Sequence, residues 1–298
     1  MNAADTRFVE YLDAKRSVDD RSLHPRVWAA FFREAGALRS RGPLEIAELG
    51  AGIGTMCERV FRALGAERLR YHLVDENPGL LEEAARRIPV SRSPESGTPP
   101  DSVRDFVLFH PGDAAAWLDG LPDGRVFQAV LANAFLDLVD IPAVLDRVFS
   151  RLGPGGLGYF TINYDGRTDF LPALEGDGEI LAAYNGSMRE RKGSYFGTDA
   201  SGSRILEYLL DRGYPVLDAG ASDWVVAPRP GGDGGPGYTR DEETFLRAIL
   251  GMVEDSVSRS TCDPGVLSSW METRRRQVEK GKLVYIAHQL DILTRKPL

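Results

Sequence analysis

Three glycines at alternate positions follow an acidic residue in residues 45–54, which read Glu-Ile-Ala-Glu-Leu-Gly-Ala-Gly-Ile-Gly. Glycine has no Cβ and tolerates positive φ, so such a turn lets the backbone approach a ligand closely. The apolar run before the turn and the pattern of Val60, Phe61 and Leu64 after it indicate a strand, a tight turn and a helix. Ligands bind at the carboxyl ends of strands in an open α/β sheet, so this turn is the first candidate binding site.

A second acid, Asp75, ends the apolar residues 71–74, about 20 residues beyond the glycine turn. An acid at this spacing binds ribose hydroxyls in nucleotide-binding folds, and its two oxygens match a vicinal diol. The alternative is that Asp75 caps the helix that Pro78 begins. The glycine turn upstream favours the diol. However, Gly54 stands one residue earlier than the third glycine of the dinucleotide fingerprint.

Further strands that could position these acids follow along the chain. Apolar runs predict strands at residues 105–109, 127–133 and 157–162, a sixth strand in two pieces at 214–217 and 223–226, and a last strand at 282–293. Strands and helices in succession predict an α/β fold with a doubly wound, seven-stranded, mostly parallel sheet. Residues 1–42 are predicted to be helical, either covering the sheet edge or roofing the crevice with Tyr11 or Arg16 facing the ligand.

These pieces, in this order, resemble the class I S-adenosylmethionine-dependent methyltransferases. The resemblance is carried by residues 48–54, 74–75, 112–114, 133–135 and 154–156, and it covers residues 44–162, about half of the chain. It implies that the cofactor is S-adenosylmethionine, whose sulfonium and ammonium suit an acid at the strand end. It also implies an antiparallel seventh strand. Residues 133–137 lack the Asn/Asp-Pro-Pro-Tyr/Phe version that the family uses on exocyclic amines of bases and on glutamine side chains, which counts against those two substrate classes.

The resemblance also implies the residues that bind the cofactor. Asp113 stands where the family places an acid on the adenine amino group, and the backbone N–H of Ala114 would meet the ring; the alternative for Asp113 is a helix cap. The predicted cofactor-binding residues are Glu48, Gly50, Ala51, Gly52, Gly54, Asp75, Glu76, Asp113, Ala114, Asn133 and Ala134.

The second half of the chain is predicted to hold the substrate. We divide the chain into a helical cap (1–42), a cofactor-binding core (43–162), an inserted lid (163–202), and the rest of the core (203–298) with a helical insertion at about 228–281. The lid is rich in aromatic residues, which suit a small-molecule pocket. The candidate substrate contacts are Tyr164, Asp165, Tyr184, Asp223 and Trp224. Asp137 and His288 are the candidate catalytic residues, with a base needed only if the nucleophile carries a proton.

The bulk composition sets limits on partners. The 298 residues carry a net charge of −8, which gives nucleic acid little electrostatic help, so we predict a small-molecule substrate and no nucleic-acid partner. The two cysteines and four scattered histidines show no metal-ligand spacing, so no metal is predicted. No apolar run reaches the length of a membrane span, and no signal peptide is visible, which predicts a cytoplasmic protein. A homodimer is kept as an option, and residues 274–276, all arginine, are predicted to lie on a solvated helix face.

The sequence therefore predicts S-adenosylmethionine-dependent methyl transfer to an oxygen or nitrogen nucleophile of a small molecule. One alternative is a non-catalytic subunit that binds the cofactor and regulates a partner. A nicotinamide-dependent dehydrogenase is the other, and the early position of Gly54 argues against it.

Overall fold

The computed structural model describes residues 3–88, 106–189, 191–192, 195–196, 198–230 and 235–298. Parts of the predicted lid and of the predicted helical insertion lie outside these residues. Two helices come first, and strands and helices then alternate. The elements as far as the fifth strand are α1 (Ala3–Ser22), α2 (Pro25–Arg41), β1 (Leu44–Leu49), α3 (Thr55–Leu64), β2 (Leu69–Asp75), α4 (Pro78–Arg87), β3 (Val107–Pro111), α5 (Ala114–Asp119), β4 (Phe127–Asn133), α6 (Ile141–Arg151) and β5 (Leu152–Leu171).

The second half adds helices on both faces of an extended sheet. Its elements are α7 (Asp177–Met188), β6 (Arg191–Lys192), β7 (Tyr195–Phe196), α8 (Ser201–Asp211), β8 (Val216–Ala221), β9 (Trp224–Val226), α9 (Arg240–Val257), α10 (Pro264–Glu279) and β10 (Val284–Arg295). The helix ends follow local capping signals. Thr239 and Glu242 form a capping box at α9, and Asp263 caps α10 beside Pro264.

The strand order β3-β2-β1-β4-β5-β10-β8 confirms the predicted fold class. Strands β1 to β5 pair in parallel, and β10 runs antiparallel between β5 and β8, as the resemblance implies for a last strand. The sixth strand, predicted in two pieces, is indeed β8 and β9, which both pair with β10. Because the parallel strands point the same way, the carboxyl ends of β1, β2 and β4 meet at one edge of the sheet.

Both faces of the sheet are buried under helices. One face carries Ile46, Tyr71 and Leu131 in a core that continues through α2 and α3 into α1, α7, α9 and α10. The other face carries Ala47 and Val130 in a core with α5, α6 and α8. Alternate residues of each strand therefore belong to different layers, as the two-residue period of a strand requires.

The predicted end of the fifth strand at residue 162 was wrong. β5 continues to Leu171, and its last part pairs with β10, so that Val284 lies opposite Leu171 and Ala287 opposite Thr168. β9 pairs with the same part of β10 on its other side. These three strand segments extend the sheet beyond the carboxyl edge of β4, and we call them the blade. Residues 163–171, the first part of the predicted lid, thus belong to β5, and their last part pairs with β10.

The prediction of a solvated arginine cluster was wrong for Arg274, which is fully buried. Its guanidinium donates to the carbonyl oxygens of Pro172 and Phe170 and to Asp177 Oδ1, the last at 2.5 Å. Asp177 also accepts from Trp270 Nε1 at 2.6 Å. Arg274 therefore fastens α10 to the first turn of α7 and to the end of β5.

None of the helices in the described residues combines the length and the hydropathy that a membrane crossing requires.

Candidate cofactor and substrate site

The glycine turn between β1 and α3 has the backbone that the sequence predicts. Gly50, Gly52 and Gly54 have φ values of 65°, 54° and 78°, in the left-handed region that favours glycine. A Cβ on Gly50 would collide with the ring of Phe135, whereas a Cβ on Gly52 would meet Leu12 of α1 at an ordinary 3.5 Å. Helix α1 therefore lies over the turn, and Leu12 packs with Val9, Ile53 and Leu80 there. This position fits the roofing alternative for the N-terminal helices.

Asp75 lies at the end of β2 and is joined to the glycine turn. Its Oδ2 accepts from the backbone N–H of Gly52 at 2.8 Å, and its Oδ1 accepts from Asn77 N at 2.9 Å. Asn77, rather than Asp75, caps helix α4. Burial raises the pKa of Asp75, the two backbone N–H groups oppose that rise, and the charge of the exposed Glu76 adds to it. A carboxylate oxygen has two lone pairs, so both oxygens can still accept from a diol.

Glu48 points into the layer below the turn. Only 2% of its surface is exposed, and its Oε2 accepts from the Tyr71 hydroxyl at 2.7 Å. Burial raises its pKa to about 8, against the opposing effects of Tyr71 and Arg59. The group is thus neutral at pH 7 and does not supply the negative charge that the resemblance implies for a cationic cofactor. Direct contact between Glu48 and the cofactor stays a prediction.

The other predicted cofactor residues stand at the same edge. Asp113 caps α5, since its Oδ1 accepts from Ala116 N at 2.8 Å, and it is exposed beside Ala114. Asn133 ends β4, and its Oδ1 accepts from the Thr161 hydroxyl at 2.8 Å. Ala134 has a φ of 51°, which turns the chain sharply after β4. The donors, acceptors and glycine surfaces of this edge fit a ligand that has a diol and an adenine, and their contacts with one stay predictions.

The predicted substrate residues Tyr164 and Tyr184 lie together on the layer that α1, α7 and α9 cover. Tyr164 on β5 is buried, and its hydroxyl contacts Thr168 Oγ1 and Asn185 Oδ1, each at 3.0 Å. Tyr184 on α7 packs against the same core from the partly exposed side. Burial raises the pKa of Tyr184, and the nearby Tyr164 and Asp137 raise it further. The predicted catalytic acid Asp137 lies in the 3-10 turn Leu136–Leu138 that follows β4.

The structure gives Asp165 and Trp224 other contacts. Asp165 accepts from the backbone N–H and from the hydroxyl of Ser203, both at 2.8 Å, and so stabilises the first turn of α8. Trp224 is 8% exposed, and its Nε1 donates to Asp19 of α1 at 2.9 Å. Both side chains are therefore engaged in joining elements, and this placement argues against a direct substrate contact for either one.

His288 and Asp223 form a pair on the face of the blade opposite the core that contains Tyr164. His288 Nδ1 lies 2.8 Å from Asp223 Oδ1, and the two line a shallow groove of about 320 Å³ with Arg167, Asp169 and Ile286. Their neighbours on β10, Tyr285 and Ala287, belong to the core on the opposite face. Successive residues of a strand point to opposite faces, so His288 points away from the layer that holds the tyrosines. This argues against His288 as the general base and Asp223 as a substrate contact.

The structure contains one histidine pair that the sequence does not predict. His72 Nδ1 on β2 and His110 Nε2 on β3 are 2.9 Å apart, and the rings stack. Burial lowers the pKa of His72 to about 3, and His110 and Arg125 lower it further. The two residues are 38 positions apart and meet only through strand pairing, so spacing could not reveal them. In the described part of the chain, no set of three His, Cys, Asp or Glu side chains is arranged to hold a metal ion.

Residues 26–146 match the model of a family described as "Putative S-adenosyl-L-methionine-dependent methyltransferase". This match agrees with the predicted resemblance over these residues, which make up less than half of the chain. The search of curated proteins found no match.

Solved structures of methyltransferases are similar at low identity. A phosphoethanolamine N-methyltransferase 2 of Haemonchus contortus, with S-adenosyl-L-methionine, is 15% identical with a TM-score of 0.43; the alignment covers 86% of this chain and 49% of that chain. The geranyl diphosphate C-methyltransferase of Streptomyces coelicolor A3(2) is 13% identical with a TM-score of 0.43, and 86% and 70% are covered. This chain thus spans about half the length of the first of these proteins. Similarity at this level identifies no substrate.

Proposed function

We propose that the protein transfers a methyl group from S-adenosylmethionine to an oxygen or nitrogen nucleophile of a small molecule. The observation that supports this most is that Asp75, the glycine turn and the turn that carries Asp137 follow the neighbouring strands β2, β1 and β4, and so lie at the same edge of the sheet. When bound, the cofactor supplies an electrophilic methyl group on a sulfonium. The chain then has to hold the nucleophile in line, keep water out and accept a proton where the nucleophile carries one.

The described residues divide these tasks. We assign cofactor binding to the glycine turn, to Asp75 with Glu76, to Asp113 with Ala114, and to Asn133 with Ala134. Helix α1 excludes water above the turn through Leu12. Asp137 is the proton acceptor at the end of β4, a position that His288 does not share. Tyr164 and Tyr184 form one side of the proposed substrate site, which we call the substrate wall.

The first experiment separates cofactor binding from turnover. Calorimetry should show one site for S-adenosylhomocysteine, the demethylated product, in the wild-type protein. Incubation with S-adenosylmethionine that carries a labelled methyl group and with a small-molecule extract should then release labelled product. If the protein binds the product but transfers no label, methyl transfer is refuted, and the non-catalytic binding subunit replaces it. If NADH binds and S-adenosylhomocysteine does not, the protein is a nicotinamide enzyme.

A further inference from the structure

The side chains of Asn133 and Thr161 meet at the carboxyl end of β4, where β5 runs beside it. The two residues are register partners, and the Thr161 hydroxyl donates to Asn133 Oδ1 at 2.8 Å. The backbone adds a second link, since the N–H of Ala134 donates to the carbonyl oxygen of Thr161 at 2.9 Å. Thr161 is 1% exposed, whereas Asn133 is partly exposed. A buried hydroxyl therefore holds an amide that solvent or a ligand can reach.

This hydrogen bond determines which end of the Asn133 amide is free. A hydroxyl has one proton to donate, and in the described residues the Thr161 hydroxyl has Asn133 Oδ1 as its acceptor. A buried donor without an acceptor would be costly, so the carbonyl end of the amide stays on Thr161. The Nδ2 end carries two N–H donors, and no acceptor among the described residues binds them. Asn133 thus presents hydrogen-bond donors, and not an acceptor, to a ligand at this edge.

Strand register places these donors beside the glycine turn. Leu49 pairs with Ala132, so the next residues of the two strands, Gly50 and Asn133, come at the same level. Ala132 belongs to the core on the face of the sheet opposite Tyr164. Because successive residues of a strand alternate between faces, Asn133 points to the face that carries Tyr164. The amide therefore lies next to the glycine turn, on the face of the substrate wall.

Given the proposed methyl transfer, on which this inference rests, we propose that the methyl acceptor is an oxygen atom and that Asn133 Nδ2 donates to it, with Thr161 as the positioning residue. A neutral amine nitrogen has one lone pair, and an N–H donor bound to that lone pair would block its attack on the methyl carbon. A hydroxyl or carboxylate oxygen has at least two, so one can accept from Asn133 while another attacks. The assignment of Asn133 to the cofactor then concerns its backbone alone.

The electrons and the proton balance for either kind of oxygen. A lone pair of the oxygen forms the bond to the methyl carbon, and the electron pair of the breaking carbon–sulfur bond stays on the sulfur, which becomes a neutral thioether. A carboxylate acceptor gives an ester and releases no proton. A hydroxyl acceptor gives an ether and releases its proton to Asp137, the proposed proton acceptor. In both cases Asn133 holds the oxygen in line and exchanges no proton.

The positioning role of Thr161 is tested by NMR on isotope-labelled protein saturated with S-adenosylhomocysteine. The side-chain amide signals of Asn133 are identified by their absence in Asn133→Asp. We expect a rigid amide in the wild type and in Thr161→Ser, which keeps the hydroxyl, and a mobile amide in Thr161→Val, which removes it. An equally rigid amide in Thr161→Val would overturn the positioning role.

The acceptor atom is tested with methyl-labelled S-adenosylmethionine and a small-molecule extract. Hot hydriodic acid releases the methyl group of an ester or an ether as volatile methyl iodide under conditions that leave N-methyl groups bound. We expect the label to be released, and label that stays bound would overturn the oxygen assignment while methyl transfer stands. Asn133→Asp replaces the donor by an acceptor of the same shape. It should lower the transfer of label about 100-fold and leave the affinity for S-adenosylhomocysteine unchanged.

Gln128→Glu is the matched control, because Gln128 lies near the other end of β4 and its Oε1 accepts from the backbone N–H of Glu45 at 2.9 Å. It adds the same charge and should transfer label like the wild type. An equal loss in both variants, or undiminished transfer in Asn133→Asp, would overturn the role of the amide. Weaker S-adenosylhomocysteine binding by Asn133→Asp would overturn it too, since the amide would then contact the cofactor. A wild type that does not bind S-adenosylhomocysteine would instead refute the proposed function itself, so the two failures are distinguishable.

Discussion

Glu48 is a carboxyl group buried beneath the glycine turn, and it makes the stability of the protein depend on pH. Burial raises its pKa to about 8, although Tyr71 donates to it and Arg59 lies nearby. In the unfolded chain a glutamate has a pKa of about 4.3. Between these two values the folded protein holds a proton that the unfolded chain releases. The unfolded chain binds fewer protons, so the free energy of unfolding falls as pH rises through this range.

The substitution Glu48→Gln tests this directly, because it keeps the shape of the side chain and an oxygen that accepts from Tyr71. A single group that is protonated only in the folded state changes stability by at most about 1.4 kcal/mol per pH unit. We therefore expect the wild type to lose up to about 1.4 kcal/mol per unit relative to the variant between pH 5 and 8. The variant should be the more stable protein at pH 8.

Urea denaturation of both proteins at pH 5, 6, 7 and 8 measures this difference. Glu76→Gln, which removes an exposed carboxylate near the same turn, controls for the change of net charge. If the free-energy difference between wild type and Glu48→Gln stayed constant from pH 5 to pH 8, the reasoning would be refuted. Such a constant difference would mean that Glu48 is ionised in the folded protein throughout this range.

Four further substitutions test the site and its support. Asp75→Ala should weaken S-adenosylhomocysteine binding by about 1.5–3 kcal/mol in calorimetry, because it removes a charged acceptor at the edge where the diol is proposed to bind. Gly52→Ala should lower the free energy of unfolding by only about 1–2 kcal/mol, the cost of its positive φ. Gly50→Ala should cost more, since its Cβ would also collide with Phe135. Arg274→Met should lower the free energy of unfolding by about 3 kcal/mol in urea denaturation, because it removes the guanidinium that donates these buried hydrogen bonds.

For Asp75→Ala, unchanged affinity with an intact fold would remove Asp75 from the cofactor site. For Gly50→Ala, adding Phe135→Ala should recover the part of the loss that comes from the collision, and no recovery would contradict it. For Arg274→Met, the neighbouring exposed Arg275→Met should change stability by less than about 0.5 kcal/mol, and an equal loss in both variants would show that burial is not the cause.

Much of the fold could be predicted from the sequence because the signals are local. The glycine turn, the strand ends at Asp75 and Asn133, and the antiparallel last strand follow from apolar runs, turn residues and the family resemblance. The length of β5 could not be predicted in this way. Residues 163–171 are polar and aromatic at irregular spacing and gain their strand structure from pairing with β10, more than 100 residues later. Pairing partners that far apart leave no local pattern.

The site could be predicted only in part, for the same reason. The proposed cofactor edge is built mostly from residues that directly follow strands, so their position in the chain indicates their position in the fold. The proposed substrate wall instead combines Tyr164 of β5 with Tyr184 of α7, two elements that meet only in the folded chain. Arg274 and Arg275 illustrate the limit most simply. They are adjacent and chemically identical, yet one is buried and the other is 48% exposed at its side chain, because only Arg274 faces α7.

The buried carboxylate of Asp291 stabilises the bend in β5 at which the blade begins. Ile162 has a φ of 56°, which interrupts regular pairing where β5 leaves the edge of the parallel sheet. Its N–H donates to Asp291 Oδ1 at 2.8 Å, and the other oxygen of Asp291 accepts from His24 N at 2.8 Å, at the start of α2. A buried N–H without an acceptor would cost about 1–3 kcal/mol, so Asp291 stabilises a bend that regular pairing would not allow. Beyond that bend β5 carries Tyr164 over the end of β4. The position of the proposed substrate wall therefore depends on a residue that touches neither cofactor nor substrate.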